Sequence, residues 1–87
     1  MKKVEIIPIA QRKARKRRIK EEWILETVST PSQVVEGYGG RKFAQSIKRI
    51  RGKEYLLRVV YEETEVLITI VTAYISSQIS RYWQEES

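Results

Sequence analysis

One arginine inside an apolar segment is the residue of this sequence best placed to do chemistry. Arg58 stands in the segment LLRVVY of residues 56–61. Because side chains alternate across a β-strand, Leu56, Arg58 and Val60 would share one face. The arginine fork binds phosphate oxygens in pairs, so we expect Arg58 to face water or a ligand. A solvated arginine, or one paired with a glutamate on a neighbouring strand, is the ordinary alternative.

Further side chains could act with Arg58 on a phosphodiester. Cleavage of RNA through its own 2′-hydroxyl needs a base, an acid and a cation that stabilises the phosphorane. Lysine and tyrosine can exchange these protons when neighbouring cations lower the pKa of their side chains. The candidate catalytic residues are therefore Arg58, Lys48, Tyr74, Tyr82 and Arg81.

Structural roles would explain the same residues equally well. We expect Lys48 on the open face with Arg58, although an exposed lysine needs no function. Tyr74 would end a long strand on the face of Ile70 and Thr72, where it can stack on a base or border the core. The basic and aromatic tail could join the site or cap the core, and it consists of Arg81, Tyr82 and Trp83.

Positive charge is concentrated near the N-terminus. The 87 residues carry 17 Lys or Arg against 11 Glu, a formal net charge of +6. Residues 1–20 hold nine of these bases and one Glu, whereas residues 53–87 hold three bases and six Glu. This distribution favours an anionic partner such as RNA, a ribosome or an acidic protein, with a merely solvated helix face as the alternative. The predicted binding residues are Arg12, Lys13, Arg15, Lys16, Arg17, Arg18, Arg41 and Lys42.

Several classes of site are excluded by composition. The sequence has no Cys and no His, so it lacks disulfides, thiolate zinc sites and the commonest general base. We expect no metal and no cofactor, and no phosphate-binding glycine loop has the required spacing. The longest apolar run, residues 66–75, is too short to span a bilayer as a helix. A cytoplasmic protein without a membrane partner is the expectation.

The order of patterns predicts an α+β fold. Apolar residues recur at helical spacing in residues 9–18 and 20–30, and extended segments follow at 33–38, 41–50, 54–61 and 66–75. We predict two N-terminal helices packed on one face of a four-stranded, or slightly larger, antiparallel sheet, with residues 66–75 as its central strand. Residues 79–83 would form a short strand or a docked tail. The single domain would have its core at about residues 9–83 and a frayed tail at 84–87.

Three segments carry a resemblance to a known group of proteins. They are IAQRKARKRRI at residues 9–19, PSQVVEGYGGRKFAQ at 31–45, and LLRVVYEE through ITIVTAY within 56–74. With the order helix, helix and strands, they resemble the RelE/ParE toxin superfamily, in particular its branch of short domains of unassigned function related to BrnT toxins. The resemblance covers about residues 9–83 and implies a RelE-like fold.

The resemblance implies a toxin of a toxin–antitoxin pair. Its expected activity is cleavage of mRNA on the ribosome, silenced by an antitoxin protein that covers the basic face. The chain departs from the branch at Ile9, where relatives often carry a His, and at Lys13 and Arg18. A non-catalytic RNA- or protein-binding module of the same fold is therefore the alternative. A gyrase inhibitor of the ParE kind has no discriminating residue here, and a homodimer is left open.

Overall fold

Three helices and five strands make up the described part of the chain, which is residues 2–84 of a computed structural model. The α+β class is confirmed. In chain order the elements are β1 (Lys3–Ile6), α1 (Pro8–Lys16), α2 (Glu21–Ser29), β2 (Gln33–Glu36), a 3-10 turn (Tyr38–Gly40), β3 (Lys42–Ile50), β4 (Lys53–Glu63), β5 (Leu67–Ser76) and α3 (Ile79–Tyr82).

The sheet is mixed rather than wholly antiparallel. Its order is β1-β5-β4-β3-β2, and β1 runs parallel to β5 while the other neighbours are antiparallel. The sequence suggests a short extended lead-in at residues 3–9, and the structure makes Lys3–Ile6 a strand of the sheet. The prediction of β5 as the central strand is wrong. β4 holds that place, and β1 covers β5 only along residues 67–70.

Glycines set the two turns that define the β2–β3–β4 hairpins. Gly39 and Gly40 adopt φ values of 65° and 78°, which other residues reach only at a cost. Arg51 and Gly52 both have positive φ between the paired residues of β3 and β4, as a two-residue hairpin of type I′ requires. In the sequence Gly39-Gly40 and Arg51-Gly52-Lys53 separate extended segments and so predict hairpin turns, and both turns form there.

Both long helices lie on one side of the sheet. Pro8 begins α1, where its missing N–H costs nothing, and Ala10 and Ala14 form the buried stripe of that helix. Ile24 and Thr27 are the buried residues of α2. The core beneath the helices contains Ala14, Ile19, Ile24, Ala44, Leu57, Val59, Tyr61, Ile70 and Ala73. No helix within residues 2–84 is long and apolar enough to cross a membrane.

Candidate functional site

A polar row crosses the sheet face that α1 and α2 leave uncovered. Gln45 on β3 lies directly opposite Arg58 on β4, and Arg58 lies directly opposite Tyr74 on β5. Leu57 and Val59, which flank Arg58 along the strand, belong to the core beneath the helices. Since side chains alternate across a strand, Arg58 points to the other side, as predicted.

Arg58 is enclosed by neutral polar and aromatic groups. Its Nε donates to Oε1 of Gln45 at 2.6 Å, and its Nη1 donates to the Tyr74 hydroxyl at 2.6 Å. Its Cζ lies 4.5 Å from the ring centroid of Phe43 and 4.3 Å from that of Tyr82. The residue is only 8% exposed. The expectation of an arginine open to water is therefore wrong, because aromatic rings cover the guanidinium.

The C-terminal helix supplies one of those rings. Tyr82, the last residue of α3, places its ring over the guanidinium, and its carbonyl accepts a 3.4 Å hydrogen bond from Nε2 of Gln45. Gln33 on β2 fixes Gln84, two residues after Tyr82. Its side chain accepts a hydrogen bond from the Gln84 amide at 3.0 Å and donates one to the Gln84 carbonyl. Of the predicted alternatives for residues 79–83, the docked tail is confirmed. The fraying predicted for residues 84–87 is not seen at Gln84, which Gln33 holds, and residues 85–87 lie outside the described residues.

Arg58 has no carboxylate partner within residues 2–84. The ion pairs found there are Lys2–Glu63, Arg41–Glu62, Lys42–Glu63 and Lys48–Glu26. A charge this deeply buried is normally paired. Here the ring faces and two neutral acceptors surround the cation, and the described contacts use two of its five N–H donors. The positive charge of Arg58 is therefore not neutralised by any residue within 2–84.

A bulge in β5 decides which side chains share the polar face. The pairing with β4 shifts so that Val60 lies opposite Thr72 while Tyr61 lies opposite Ile70. Thr72 and Tyr74 therefore lie on the polar face, whereas Ile70 lies in the core beneath the helices. We predicted Tyr74 on the face of both Ile70 and Thr72. The prediction is wrong for Ile70 because the extra residue breaks the alternation.

Beyond the polar row the same face remains open as a groove of about 620 Å³. This volume falls within the range of small-molecule sites. The groove is lined by Tyr38, Gly39, Arg41, Phe43, Val60, Glu62 and Thr72. Tyr38 is 98% exposed, so its ring is free on both faces. The Phe43 ring is shared, because it both lines the groove and contacts Arg58.

Arg17 brings the basic N-terminal run to the rim of this groove. Its Nη1 donates to the Ala73 carbonyl at 2.7 Å and approaches Oγ1 of Thr72 at 3.4 Å. This contact lies on β5 beyond the stretch that β1 covers. The rest of the predicted run is exposed to solvent, and it consists of Arg12, Lys13, Arg15, Lys16 and Arg18.

Comparison with known proteins identifies the family. The family described as "Domain of unknown function (DUF4258)" matches residues 10–75. The chain belongs to this family. The DUF4258 match runs from α1 to β5, so it contains Gln45, Arg58 and Tyr74 but stops before Tyr82. No curated protein and no solved structure matches the chain.

In this DUF4258 domain Lys48 lies away from the polar row. It shares a face of β3 with Ala44 and Ser46, and Ala44 is fully buried beneath the helices. Nζ of Lys48 donates to Oε2 of Glu26 on α2 at 3.1 Å. The prediction that Lys48 faces the same side as Arg58 is therefore wrong, because the burial of Ala44 fixes the opposite alternation.

The two predicted cations at the start of β3 separate as well. Arg41 lines the groove, with its Nε 4.0 Å from Oε1 of Glu62. Lys42 lies on the helix side, where it and Lys2 both bind Glu63, at 3.2 Å and 2.6 Å. The hydrogen bonds from Lys2 and Lys42 lower the pKa of the Glu63 carboxyl, and the bond to Glu63 raises the pKa of Lys42.

Arg81 borders the enclosed cluster without entering it. The residue is exposed, its Nη1 donates to Oε1 of Gln78 at 3.2 Å, and its Cζ lies 5.5 Å from the Tyr82 ring. The residues that sequence reasoning missed are Phe43 and Gln45 beside Arg58, and Tyr38 in the groove. Only the alternation of Phe43 with Gln45 could have indicated their common face. Within residues 2–84 no group of three or more Asp, Glu, His or Cys side chains could hold a metal ion.

Proposed function

We propose that this protein is an RNA-cleaving toxin that is silenced by an antitoxin. The observation that carries the proposal is Arg58, a nearly buried guanidinium with neutral partners, whose neighbour Phe43 lines an open groove. A phosphate group would supply the negative charge that this guanidinium lacks among residues 2–84, and acceptor oxygens for its remaining N–H donors. RNA reaching the cluster through the groove would bring such a phosphate to Arg58.

The chemistry proposed is attack of the 2′-oxygen on the adjacent phosphorus, which breaks the bond from phosphorus to the 5′-oxygen of the next nucleotide and leaves a 2′,3′-cyclic phosphate. A base takes the proton of the 2′-hydroxyl, and an acid gives a proton to the leaving 5′-oxygen. Arg58 would stabilise the charge that develops on the phosphorane oxygens. Tyr74, hydrogen-bonded to Arg58, and Tyr82, whose ring packs edge-on against Tyr74 at 6.4 Å and 71°, are the groups nearest to it that can exchange protons. Arg81, which lies beside Tyr82 at the edge of the Arg58 cluster, would add positive charge. Lys48 has no part in this proposal, because Glu26 holds it on the other face.

The proposed partners follow from charge and from the RelE/ParE resemblance. The exposed cations of α1 suit the phosphates of mRNA on a ribosome, and they equally suit an acidic segment of an antitoxin. A helix pair followed by antiparallel strands is the order of elements that the resemblance implies, which supports the assignment to a RelE-like toxin.

Cleavage of RNA by matched tyrosine variants tests the proposal. We expect the purified wild type to cut mRNA on ribosomes and to arrest growth when induced without its partner. Tyr74→Phe keeps the ring and removes the hydroxyl, so cleavage should fall by about 10²–10⁴-fold while RNA binding remains. Tyr55→Phe, which removes a hydroxyl on the helix side, should cleave as the wild type does. A wild type that neither cleaves RNA nor arrests growth would refute the toxin.

A non-catalytic RNA-binding module is the second candidate. The observation that favours it is the Tyr82 ring, 4.3 Å from the guanidinium, because this ring covers the side from which a phosphate could approach most directly. For such a module, RNA would bind in a salt-dependent manner without cleavage, and Tyr74→Phe would leave the RNA intact as the wild type does.

A further inference from the structure

We infer that Tyr38 is the platform on which an unpaired RNA base stacks, in the groove next to Arg58. The inference deepens the proposed function and rests on it, since it takes single-stranded RNA as the ligand of this face. It assigns a binding role to a residue that neither the charge pattern nor the candidate catalytic set includes.

The exposure of Tyr38 is the first support. At 98% exposure its ring contributes almost nothing to the core, yet its backbone is fixed. The Gly37 amide donates to the Arg41 carbonyl at 2.8 Å, and the Arg41 amide donates to the Tyr38 carbonyl at 3.2 Å. These bonds close the turn around Gly39 and Gly40. Because the turn already fixes the backbone, a flat ligand that stacks on the ring would have to order only the two side-chain torsions of Tyr38.

The surroundings of the ring are the second support. Arg41 lines the same groove, and Arg17 reaches Thr72 at its rim, so two cations stand where a nucleic-acid backbone would run. One acid, Glu62, accompanies them at 4.0 Å from Arg41. Cations combined with an exposed aromatic ring are the features that proteins use to bind single strands.

The position of the groove along the strand is the third support. Val60 in its floor lies two residues from Arg58 on the same face of β4, a distance of about 7 Å. The Phe43 ring joins the two places, because it lines the groove and lies 4.5 Å from Arg58. A base on Tyr38 and a phosphate at Arg58 would therefore belong to one short stretch of the same strand. A paired base in a duplex cannot offer its face in this way, so the ligand is single-stranded.

Fluorescence anisotropy with a short labelled single-stranded RNA tests the inference. Tyr38→Ala should weaken binding by about 5- to 140-fold, which corresponds to the loss of one stacked base. Tyr38→Phe and Tyr38→Trp should bind as the wild type does, because both retain an aromatic face. Tyr55→Ala removes a tyrosine from the other face and should leave the affinity unchanged. The same RNA annealed into a duplex should bind wild type and Tyr38→Ala equally.

Salt dependence separates stacking from charge. Stacking releases no counterions, so Tyr38→Ala should keep the wild-type slope of log affinity against log salt. Arg41→Gln should reduce that slope by about 0.7. Arg51→Gln, which removes an exposed arginine at the other end of β3, should leave it unchanged.

Each outcome decides between the inference and the proposed function. If Tyr38→Ala binds and cleaves RNA as the wild type does, the stacking site is wrong and the toxin stands. If Tyr38→Ala loses affinity while the wild type cuts nothing, the stacking site stands and the catalytic proposal is wrong. A wild type that binds no single-stranded RNA refutes both.

Discussion

The sheet face opposite α1 and α2 has two halves that use aromatic residues in opposite ways. In the half beneath α3, the rings of Phe43 and Tyr82 enclose Arg58 and leave it 8% exposed. In the other half, Tyr38 is 98% exposed and lines an open groove. The first arrangement holds a cation in place within the fold, whereas the second leaves a ring free for a ligand.

This difference separates a residue that stabilises the fold from a residue that can bind a ligand on the same sheet face. Arg58 has made its contacts before any ligand arrives, so a change there must disturb the fold as well as the site. Tyr38 contacts almost nothing, so a change there can alter binding alone. Variants of the two halves should therefore differ in how their effects divide between unfolding and affinity.

The largest expected effect on stability is that of Arg58→Ala. The change removes the packed side chain, and it leaves the Gln45 and Tyr74 oxygens without their donor. We expect the free energy of unfolding to fall by roughly 2–4 kcal/mol, measured by urea denaturation. Tyr38→Ala, its matched control in the open half, should stay within about 0.5 kcal/mol of the wild type. Equal losses in both variants would contradict the division.

Gly37→Ala tests the ring that the two halves share. A Cβ at this position would overlap the edge of the Phe43 ring, although the extended backbone of Gly37 suits any residue. The ring must move, so we expect a loss of roughly 1–3 kcal/mol in the free energy of unfolding and weaker RNA binding. Phe43→Leu in the same chain should recover part of the stability. A Gly37→Ala variant as stable as the wild type would show that the Phe43 ring does not hold a fixed position between the two halves of the sheet face.

A double-mutant cycle between Arg58 and Tyr82 measures the covering contact itself. With Arg58→Met and Tyr82→Leu as the single changes, we expect a coupling free energy of about 0.5–2 kcal/mol in urea denaturation. The same cycle between Arg58 and Tyr38 should give a coupling near zero. A missing coupling in the first cycle would mean that α3 does not hold the guanidinium in solution.

The sequence predicted the parts of this site that depend on local patterns. The alternation around Arg58 in an apolar strand indicated its face, and the glycines indicated both turns. The neighbours of Arg58 could not be predicted in this way, because they depend on the register of three strands. The bulge in β5 separates Ile70 from Tyr74, and the docking of Tyr82 depends on contacts between residues far apart in the sequence.

The same limit explains the error about Lys48. It alternates correctly within β3, but the periodicity of a strand does not say which of its faces the helices cover. The burial of Ala44 settles that question only once the fold is known. A prediction from the type and spacing of cations therefore overestimated how much positive charge lies on the polar face.

The smallest expected effect concerns Glu63, whose ionic contacts contrast with those of Arg58. Hydrogen bonds from Lys2 and then Lys42 lower its folded-state pKa below the ordinary 4.5, so their stabilising contribution is present above that pH and is lost as the pH falls through the folded-state pKa. Glu63→Gln should therefore melt slightly below the wild type at pH 7, and the difference should disappear once the pH has fallen below the folded-state pKa of Glu63, or in ~1 M salt. Glu65→Gln, in the exposed turn after β4, serves as the control and should match the wild type throughout.

The described partners of Arg58 carry no carboxylate, so the loss caused by Arg58→Ala should persist at both pH values. A loss that disappeared in acid would place a carboxylate beside the guanidinium and overturn the contrast between the two kinds of contact.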